Sequence, residues 1–201
     1  MRLLIMGPPG AGKGTQAVDL AQRVSGAHVS TGEIFRAHVG AGTALGRTAQ
    51  GFIEAGEFVP DEVTNAMVAD RFRQPDAVEA FVLDGYPRTV DQLHFLDAVL
   101  SEQDSQLDGV VELVVDSEEL VARLLKRGRL GSRSDDTPET IRRRLAIHAA
   151  ETQPPLVIYR ERNLVASVDG IGTVAQVSQR IAQTLSRLGS AEAQVNAQPL
   201  E

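Results

Sequence analysis

Short, nearly continuous apolar runs recur along the chain, and each is bounded by glycine, proline or charged residues. Uninterrupted runs of this kind are typical of strands in a parallel sheet that is covered on both faces, because neither face of such a strand meets water. The pattern predicts four strands and a weaker fifth, at residues 27–30. The four stronger strands are predicted over residues 2–6, 81–84, 110–115 and 164–168.

Between the strands, apolar residues recur at the three-to-four-residue spacing of an amphipathic helix. Two of these stretches have clear start signals: Ser117 precedes two glutamates, and Thr137 precedes Pro138 at the first helical position. Alternating strands and helices predict an α/β fold, a five-stranded parallel sheet flanked by helices and joined by right-handed crossovers. The helices are predicted over residues 13–24, 61–73, 89–100, 117–126, 138–151 and 174–188.

Two segments interrupt this alternation. Residues 30–59 are helical in pattern but rich in glycine, and residues 126–136 are polar and have no core pattern. We expect both to be mobile subdomains inserted into a core domain. The small, polar residues after Gly189 predict a disordered tail over residues 190–201. The core domain is predicted to comprise residues 1–29, 60–125 and 137–189.

Composition narrows the class of protein. With 201 residues, of which 42% are hydrophobic, the chain can bury one substantial core. The absence of cysteine excludes a disulfide framework and a thiolate zinc site. A formal net charge of -7 argues against non-specific binding to nucleic acid.

We expect neither a signal peptide nor a membrane span in this sequence. The first residues, MRLLIM, do not form a signal peptide, and no apolar run approaches the roughly 20 residues of a membrane span. We therefore expect a cytoplasmic protein without a membrane partner. The histidines show no metal-ligand spacing, so we interpret them as structural or surface residues. They are His28, His38, His94 and His148.

A glycine-rich segment, GPPGAGKGT at residues 7–15, lies between the first predicted strand and the first predicted helix. Its glycines let successive backbone N–H groups turn onto an anion, and the helix N-terminus adds its positive dipole end. Lys13 then reaches the β- and γ-phosphates of a nucleotide. A plain glycine-rich turn is the alternative, which the lysine and the placement disfavour. The predicted nucleotide-binding residues here are Gly10, Ala11, Gly12, Lys13, Gly14 and Thr15.

This segment departs from the general phosphate-loop pattern, in which a serine or threonine directly follows the lysine. Here Gly14 intervenes and Thr15 comes next. We therefore expect Thr15 to donate a hydrogen bond to a phosphate oxygen rather than to bind magnesium directly.

A second polar group follows the predicted strand at residues 81–84. Asp84 ends that strand at the carboxyl edge of the sheet, where open α/β folds bind ligands. Its carboxylate can hold magnesium through water, or it can act as a helix cap or turn acceptor. Gly85 and Pro87 shape a tight turn that directs Arg88 into the cleft, where its guanidinium matches a phosphate. A surface salt bridge is the alternative for Arg88.

Three motifs together identify a family resemblance. They are GPPGAGKGTQ from Gly7, STGEIFR from Ser30, and FVLDGYPR from Phe81 with Gln92 four residues later. This set resembles the adenylate kinase family, and the similarity extends from residue 1 to about residue 188. The resemblance implies magnesium-dependent phosphoryl transfer from ATP to AMP, with ADP as product and a monomeric protein.

The resemblance also implies how AMP is bound. Residues 30–59 are the AMP-binding insertion, in which Thr31 and Gly32 contact the base region and Arg36 the phosphate. Gln92 reads the adenine edge, and with Thr31 it favours AMP over pyrimidine monophosphates. For Thr31, a helix N-cap is the alternative. The AMP-binding set is Thr31, Arg36, Glu57, Phe58, Val59, Gly85, Tyr86, Pro87, Arg88, Gln92, Arg133 and Arg144.

Residues 126–136 resemble a short lid without zinc ligands, so we expect no zinc site and expect closure to rely on Asp135 and Asp136 pairing with arginines. By resemblance, Arg127 contacts ATP. Gly172 borders the ATP adenine or belongs to an ordinary turn. We interpret Arg142 and Arg143 as a solvated helix face, and Arg129 is open between that role and a site role. The catalytic set is Lys13, Arg88, Arg123, Arg127, Arg133 and Arg144.

Three other functions share parts of this pattern. A UMP or CMP kinase has the same loop, turn and lid arginines, and Thr31 and Gln92 argue for AMP instead. A non-catalytic nucleotide-binding protein is disfavoured because every charged position that the mechanism needs is filled. A GTPase is disfavoured because the chain has no Asn-Lys-x-Asp run for guanine.

Overall fold

A parallel β-sheet lies at the centre of the protein in the computed structural model, which describes residues 1–129 and 137–195. Neighbouring strands follow the order β2-β3-β1-β4-β5, and every pairing is parallel. This confirms the predicted fold class, with the last two strands displaced by one residue from their predicted bounds. The strands are β1 (Arg2–Met6), β2 (Ala27–Ser30), β3 (Phe81–Asp84), β4 (Gly109–Val114) and β5 (Val165–Asp169).

Helices cover both faces of this sheet. All six helices predicted from the periodicity are present in the described part of the chain, although several are longer or shorter at one end. A 3₁₀ turn at Pro75–Ala77 and a π turn at His148–Thr152 complete the regular structure. The helices are α1 (Lys13–Arg23), α2 (Thr31–Gly40), α3 (Ala44–Ala55), α4 (Asp61–Phe72), α5 (Val90–Ser101), α6 (Ser117–Arg129), α7 (Pro138–Ile147), α8 (Gln153–Glu161) and α9 (Val174–Val195).

Helix α8 is absent from the predicted elements. Pro154 and Pro155 suggest a break in the sequence, but both occupy the first turn of α8, where the missing N–H groups have no intrahelical partner to lose. Helix α9 is longer than predicted, because it continues past Gly189 into the segment predicted to be disordered. Alanine, glutamate and glutamine in that segment favour a helix. The remainder of the predicted tail, residues 196–201, lies outside the described residues.

Strand β1 shows how the core is divided. Leu3 and Ile5 pack on one face of the sheet with α1 and α9, while Leu4 and Met6 pack on the other with α4, α5 and α8. Both faces are therefore buried, which explains why the strands are apolar without alternation. Full burial of each such aliphatic side chain contributes about 2 kcal/mol to folding.

The ligand-binding edge of the sheet lies at the neighbouring strands β1 and β3, in which Ile5 pairs with Asp84. The chain leaves β1 into α1 on one face of the sheet and leaves β3 into α5 on the other. Connections that diverge in this way open a crevice beyond the carboxyl ends of the two strands. The fold thus places the segments after β1 and β3 at the same crevice.

The two predicted insertions differ in how much of them is described. The segment at 30–59 forms α2 and α3, in agreement with its helical pattern. Of the predicted lid at 126–136, residues 130–136 lie outside the described residues, and with them Arg133, Asp135 and Asp136. None of the described helices is both long and apolar enough to cross a membrane.

Candidate active site

A cleft of about 520 Å³ opens at the carboxyl edge of the sheet. Its walls come from the phosphate loop, the α2–α3 insertion, the turn after β3, and helices α6 and α7. Most of the residues predicted from the sequence meet here. They are Gly10, Gly12, Lys13, Gly14, Thr15, Thr31, Gly32, Arg36, Glu57, Phe58, Val59, Asp84, Gly85, Tyr86, Pro87, Arg88, Gln92, Arg123, Arg127 and Arg144.

Two of the predicted residues that the structure describes do not contribute to this lining. Ala11 is buried within the phosphate loop, and Gly172 lies outside the cleft wall. Arg133 is outside the described residues. Gly170 is closer to the site than Gly172, since a Cβ placed on it would lie 3.5 Å from the carbonyl oxygen of Ala11. The segment after β5 therefore supports the phosphate loop from behind.

The phosphate loop ends at Gly12, which adopts a left-handed conformation (φ 96°) as the N-cap of α1. This conformation favours glycine and lets the loop turn directly into the helix N-terminus. The Lys13 ammonium folds back over the loop, where Nζ donates to the carbonyl oxygens of Gly7 at 2.7 Å and Pro8 at 3.0 Å. The site thus combines a helix N-terminus with a lysine held at its mouth, an arrangement suited to a polyphosphate.

Asp84 lies against the phosphate loop. Its Oδ2 is 3.4 Å from the position that a Cβ would occupy at Gly14. Magnesium in nucleotide sites is usually held by one or two carboxylates together with water and phosphate oxygens. One carboxylate beside the loop fits that requirement. Within residues 1–129 and 137–195, no group of three or more His, Cys, Asp or Glu side chains could hold a metal by itself.

The turn after β3 contains a cis peptide between Tyr86 and Pro87. Gly85 has a positive φ of 82°, and a Cβ there would lie 2.8 Å from the Thr31 hydroxyl. Its carbonyl oxygen accepts from Thr31 Oγ1 at 3.0 Å and from Arg88 Nε at 2.7 Å. Gly85 therefore joins the insertion to the arginine, and a larger residue would separate them.

Thr31 is not the N-cap of α2. Ser30 holds that position and accepts from the backbone N–H of Glu33 at 3.4 Å, whereas Thr31 is the first residue of the helix. The Thr31 side chain is buried and lines the cleft beside Gly85. The capping alternative is thus wrong for Thr31, and its contact with the base stays a prediction.

Three arginines, Arg36, Arg88 and Arg144, line the cleft. Burial lowers the pKa of Arg88, Asp84 opposes that effect, and the positive charges of Arg144 and Arg36 add to it. The guanidinium of Arg88 also lies over the Phe58 ring, 4.9 Å from its centroid. Because arginine stays charged at physiological pH, these guanidinium groups create a local excess of positive charge that an anionic ligand relieves.

Gln92 lines the cleft and is only 2% exposed. Its Oε1 accepts from the backbone N–H of Arg88 at 2.7 Å, and its Nε2 donates to Oδ1 of Asp61 at 2.6 Å. Thr89 Oγ1 donates to the other Asp61 oxygen at 2.6 Å. The Gln92 amide is therefore held on two sides.

The Tyr86 hydroxyl lies nearby. It is buried, its pKa is raised by desolvation, and it donates to Asn65 Oδ1 at 2.7 Å.

The arginines of α6 and α7 have different partners. Arg123 pairs with Glu119 at 2.6 Å and donates to the Gly170 carbonyl at 3.1 Å, so it links α6 to the segment after β5. Arg144 NH2 donates to the carbonyl oxygen of Ile53 at 3.3 Å. Arg127 lies in the cleft wall. Their predicted contacts with phosphates stay predictions.

Arg142 and Arg143 are both exposed, in agreement with the predicted solvated helix face. Arg143 in addition forms an ion pair with Glu57, which follows helix α3 of the insertion. The pair arises because α7 runs beside the end of the insertion, a tertiary contact that spacing along the helix does not reveal. Both partners are half-exposed, so the pair connects the two walls at the surface.

His148 lines the cleft, although the sequence predicts a structural or surface residue at this position. It lies on the π turn, and its ring hydrogen-bonds to the backbone of Gly7 in the phosphate loop. Burial, followed by the charges of Lys13 and Arg88, lowers its pKa to about 4, while the Gly7 bond and Glu112 oppose the change. One signal was available, since Arg144, His148 and Thr152 are four residues apart and all line the cleft. π turns are also frequent at functional sites.

Comparisons with known proteins agree with this geometry. The model of the adenylate kinase family matches residues 5–164. An adenylate kinase of Nocardioides sp. is 53% identical over 185 residues, which cover 92% of this chain and 97% of the relative. An adenylate kinase of Micrococcus luteus is 50% identical over 190 residues, with 94% and 93% covered.

An adenylate kinase of Thermobifida fusca is 49% identical over 180 residues, which cover 90% of this chain and 95% of the relative. The similarity therefore includes the phosphate loop, the insertion, the turn after β3 and the arginine-bearing helices, and is not confined to one motif. Taken with the sheet order and the cleft, it shows that the chain belongs to the adenylate kinase family.

Proposed function

We propose that this chain transfers the terminal phosphoryl group of ATP to AMP, reversibly and with magnesium, and so contributes to the balance of adenine nucleotides. The same reaction, ATP + AMP = 2 ADP, is the activity of the family to which the chain belongs. One observation carries the assignment to this cleft. A lysine-bearing phosphate loop and the mutually repelling arginines Arg36, Arg88 and Arg144 open onto the same cavity.

The ATP side of the proposal is the phosphate loop. Backbone N–H groups of residues 10–15 surround the phosphates at the N-terminus of α1, and Lys13 moves from the loop carbonyls to the β- and γ-phosphates. Arg123 and Arg127 extend this side along α6. The segment around Gly172 borders the adenine from behind the loop.

The AMP side is the insertion together with the turn after β3. Arg36 and Arg88 hold the phosphate of AMP, and Thr31 and Gln92 contact the base. The backbone of residues 57–59 lines the adenosine pocket, with Phe58 fixed under the Arg88 guanidinium. Arg144 lines the same cleft and contacts the phosphoryl group during transfer.

Asp84 is the residue that fits magnesium, through water, because its carboxylate faces the loop that would carry the phosphates. When bound with ATP, the ion neutralises charge on the β- and γ-phosphates. The chain's own contribution is positioning. Two nucleotides are oriented for in-line transfer, and fixed cations stabilise the charge of a loose transition state without a covalent intermediate.

Two further parts of the proposal concern the lid and the state of the protein. Closure of residues 126–136, with Arg133, excludes water and so prevents hydrolysis of ATP. A monomer located in the cytoplasm, where ATP and AMP are exchanged, is the state that the family resemblance favours. Light scattering after size exclusion tests whether the protein is a monomer, since a dimer would have twice the 21.6 kDa mass of the chain.

A panel of acceptors tests the function. Purified protein is incubated with magnesium and ATP together with AMP, CMP or UMP, and products are followed by phosphorus NMR. Growth of ADP signals with AMP alone supports the proposal. Turnover with CMP or UMP instead would assign a different monophosphate kinase, and ATP binding without any product would indicate a non-catalytic nucleotide-binding protein.

A further inference from the structure

We propose that Asp61 is a positioning residue that locks the Gln92 amide in one orientation, and that this lock selects a 6-aminopurine over a 6-oxopurine monophosphate. The inference rests on the proposed function, since it concerns how the AMP side chooses its base. Asp61 itself is not among the residues that line the cleft, so it acts through Gln92.

The orientation of the amide follows from its partners. A backbone N–H can only donate and a carboxylate can only accept, so Oε1 must face Arg88 and the NH₂ group must face Asp61. Rotating the amide by half a turn would place N–H against N–H and oxygen against carboxylate. Both contacts are short, at 2.7 and 2.6 Å, and the side chain is buried. The flipped state is therefore strongly disfavoured.

Asp61 is itself held in place. It lies in the first turn of α4, and its second oxygen accepts from the Thr89 hydroxyl at 2.6 Å. The same Thr89 oxygen accepts from the backbone N–H of Gln92 at 3.2 Å as the N-cap of α5. Asp61, Thr89 and Gln92 thus form a closed ring of hydrogen bonds. The ring ties the start of α4 to the start of α5.

The locked Gln92 amide can still form two hydrogen bonds with a ligand, one as donor and one as acceptor. One N–H and one oxygen lone pair are not used by these partners, and Gln92 faces the cleft. Adenine offers a ring-nitrogen acceptor beside an amino donor, which this pair can satisfy together. Hypoxanthine and guanine reverse that pattern, with a ring N–H beside a carbonyl, and they would need the flipped amide. Sites that leave buried polar groups unpaired reject the wrong ligand strongly.

The test compares AMP with IMP, which differ at this edge of the base. We measure kcat/KM for both acceptors at saturating magnesium–ATP in the wild type and in Asp61→Asn. The asparagine is isosteric and can either donate or accept, so it removes the preference for one amide orientation. We expect the AMP/IMP ratio of kcat/KM to fall by about tenfold or more, chiefly through a higher KM for AMP.

Glu62→Gln is the matched control. Glu62 is the exposed neighbour of Asp61 in the first turn of α4, and its substitution removes one negative charge, as Asp61→Asn does. It should leave the ratio unchanged. A purely structural role for Asp61 would lower turnover of both acceptors in parallel and leave their ratio intact, and that outcome would overturn the proposal. If the wild type did not phosphorylate AMP at all, the proposed function would fail first.

A second measurement is read on the wild type, and a variant serves only to assign the signal. In ¹⁵N-labelled wild type, the Gln92 side-chain amide is assigned by its disappearance in Gln92→Glu. We expect one of its two protons to be shifted downfield and to exchange slowly with solvent, as a hydrogen bond to a carboxylate requires. Two equivalent, rapidly exchanging protons would show that Asp61 does not hold the amide.

Discussion

The two sides of the cleft are built from different materials. The proposed ATP side consists mainly of backbone, a glycine-rich loop with its N–H groups at a helix N-terminus and one lysine folded over it. The proposed AMP side consists of side chains that hold one another, with Thr31 and Gln92 each bonded to a neighbouring segment and Arg88 bonded within its own turn. Backbone recognises the phosphates that all triphosphates share, whereas a side-chain network can distinguish one base from another.

The two sides of the cleft should also differ in how they tolerate substitutions. A substitution on the ATP side alters charge or loop shape locally, because most donors there are main-chain groups. On the AMP side, one substitution disturbs several partners, since Gly85, Arg88, Gln92 and Asp61 form a connected set. We therefore expect variants of the AMP side to change KM for AMP without a matching change in ATP affinity.

The largest effect is expected for Arg88→Ala. Loss of this guanidinium removes a phosphate contact and a source of transition-state stabilisation, so kcat should fall by about a thousandfold. Arg88→Lys should recover part of the loss, since it restores charge without the planar fork. Steady-state kinetics measure the fall. Arg142→Ala, an exposed arginine of α7, is the control and should keep wild-type rates. Near-normal turnover by Arg88→Ala would contradict the assignment.

Gly85→Ala should affect the proposed AMP side of the cleft and leave the proposed ATP side unchanged. The positive φ and the 2.8 Å approach to Thr31 predict a loss of about 2 kcal/mol in the free energy of unfolding. Displacement of Thr31 and Arg88 should raise KM for AMP about tenfold, with Kd for ATP nearly unchanged. Denaturant unfolding and calorimetric titration measure the two quantities.

Gly51→Ala is the control for Gly85→Ala, because Gly51 is exposed on α3 and has open space around its would-be Cβ. It should be neutral or slightly stabilising. An equal loss of affinity for ATP and AMP in Gly85→Ala would show that the two sides are not separable.

His148 predicts a dependence of stability on pH. Its folded pKa of about 4 lies below the ordinary 6.5, so the unfolded chain takes up the proton first. The folded state should therefore lose stability as the pH falls from about 6.5 to about 4. Because the ring is only partly buried, we expect the loss to be about 2 kcal/mol. Urea unfolding across this range measures it.

The matched variant for this titration is His148→Asn, which keeps a donor near Gly7 but cannot titrate. The difference in unfolding free energy between wild type and variant should change with pH in this window and be constant above pH 7. A constant difference at every pH would contradict the burial of a neutral His148. The other three histidines are present in both proteins, so their contributions to the unfolding free energy cancel in the difference.

The smallest effect is expected for Glu57→Gln, which breaks the ion pair with Arg143. Half-exposed pairs contribute about 1 kcal/mol or less, and salt screens them. KM for AMP should change less than about threefold, since the predicted contact of residue 57 uses its backbone. A double-mutant cycle with Arg143→Gln measures the coupling. A coupling well above this value would mean that the pair controls how the walls approach.

The sequence predicts the scaffold well because local patterns determine it. Apolar runs located the five strands, and Thr137 followed by Pro138 marked the start of α7. Helix α8 was missed because two prolines in its first turn look like a break. The motifs after β1 and β3 located the cleft because glycine and proline there have local roles.

The supporting contacts of the site were not predictable in the same way. Asp61 and Gln92 are 31 residues apart and meet because α4 and α5 begin side by side. Arg143 reaches Glu57 because α7 runs beside the end of the insertion. No spacing along the sequence encodes either approach, since both depend on how the elements pack. His148 differs in part, because its spacing from Arg144 and Thr152 is a local signal, whereas its contact with Gly7 is not.

Direct phosphoryl transfer requires that one cleft hold both the donor and the acceptor. ATP labelled in its γ-phosphate, incubated with magnesium, AMP and the protein, shows whether it does. Separation of the products at early times locates the label. We expect label in the β-phosphate of ADP formed from AMP, with little inorganic phosphate. Label released mainly as inorganic phosphate, with AMP unchanged, would show that the cleft hydrolyses ATP and does not transfer its phosphoryl group to AMP.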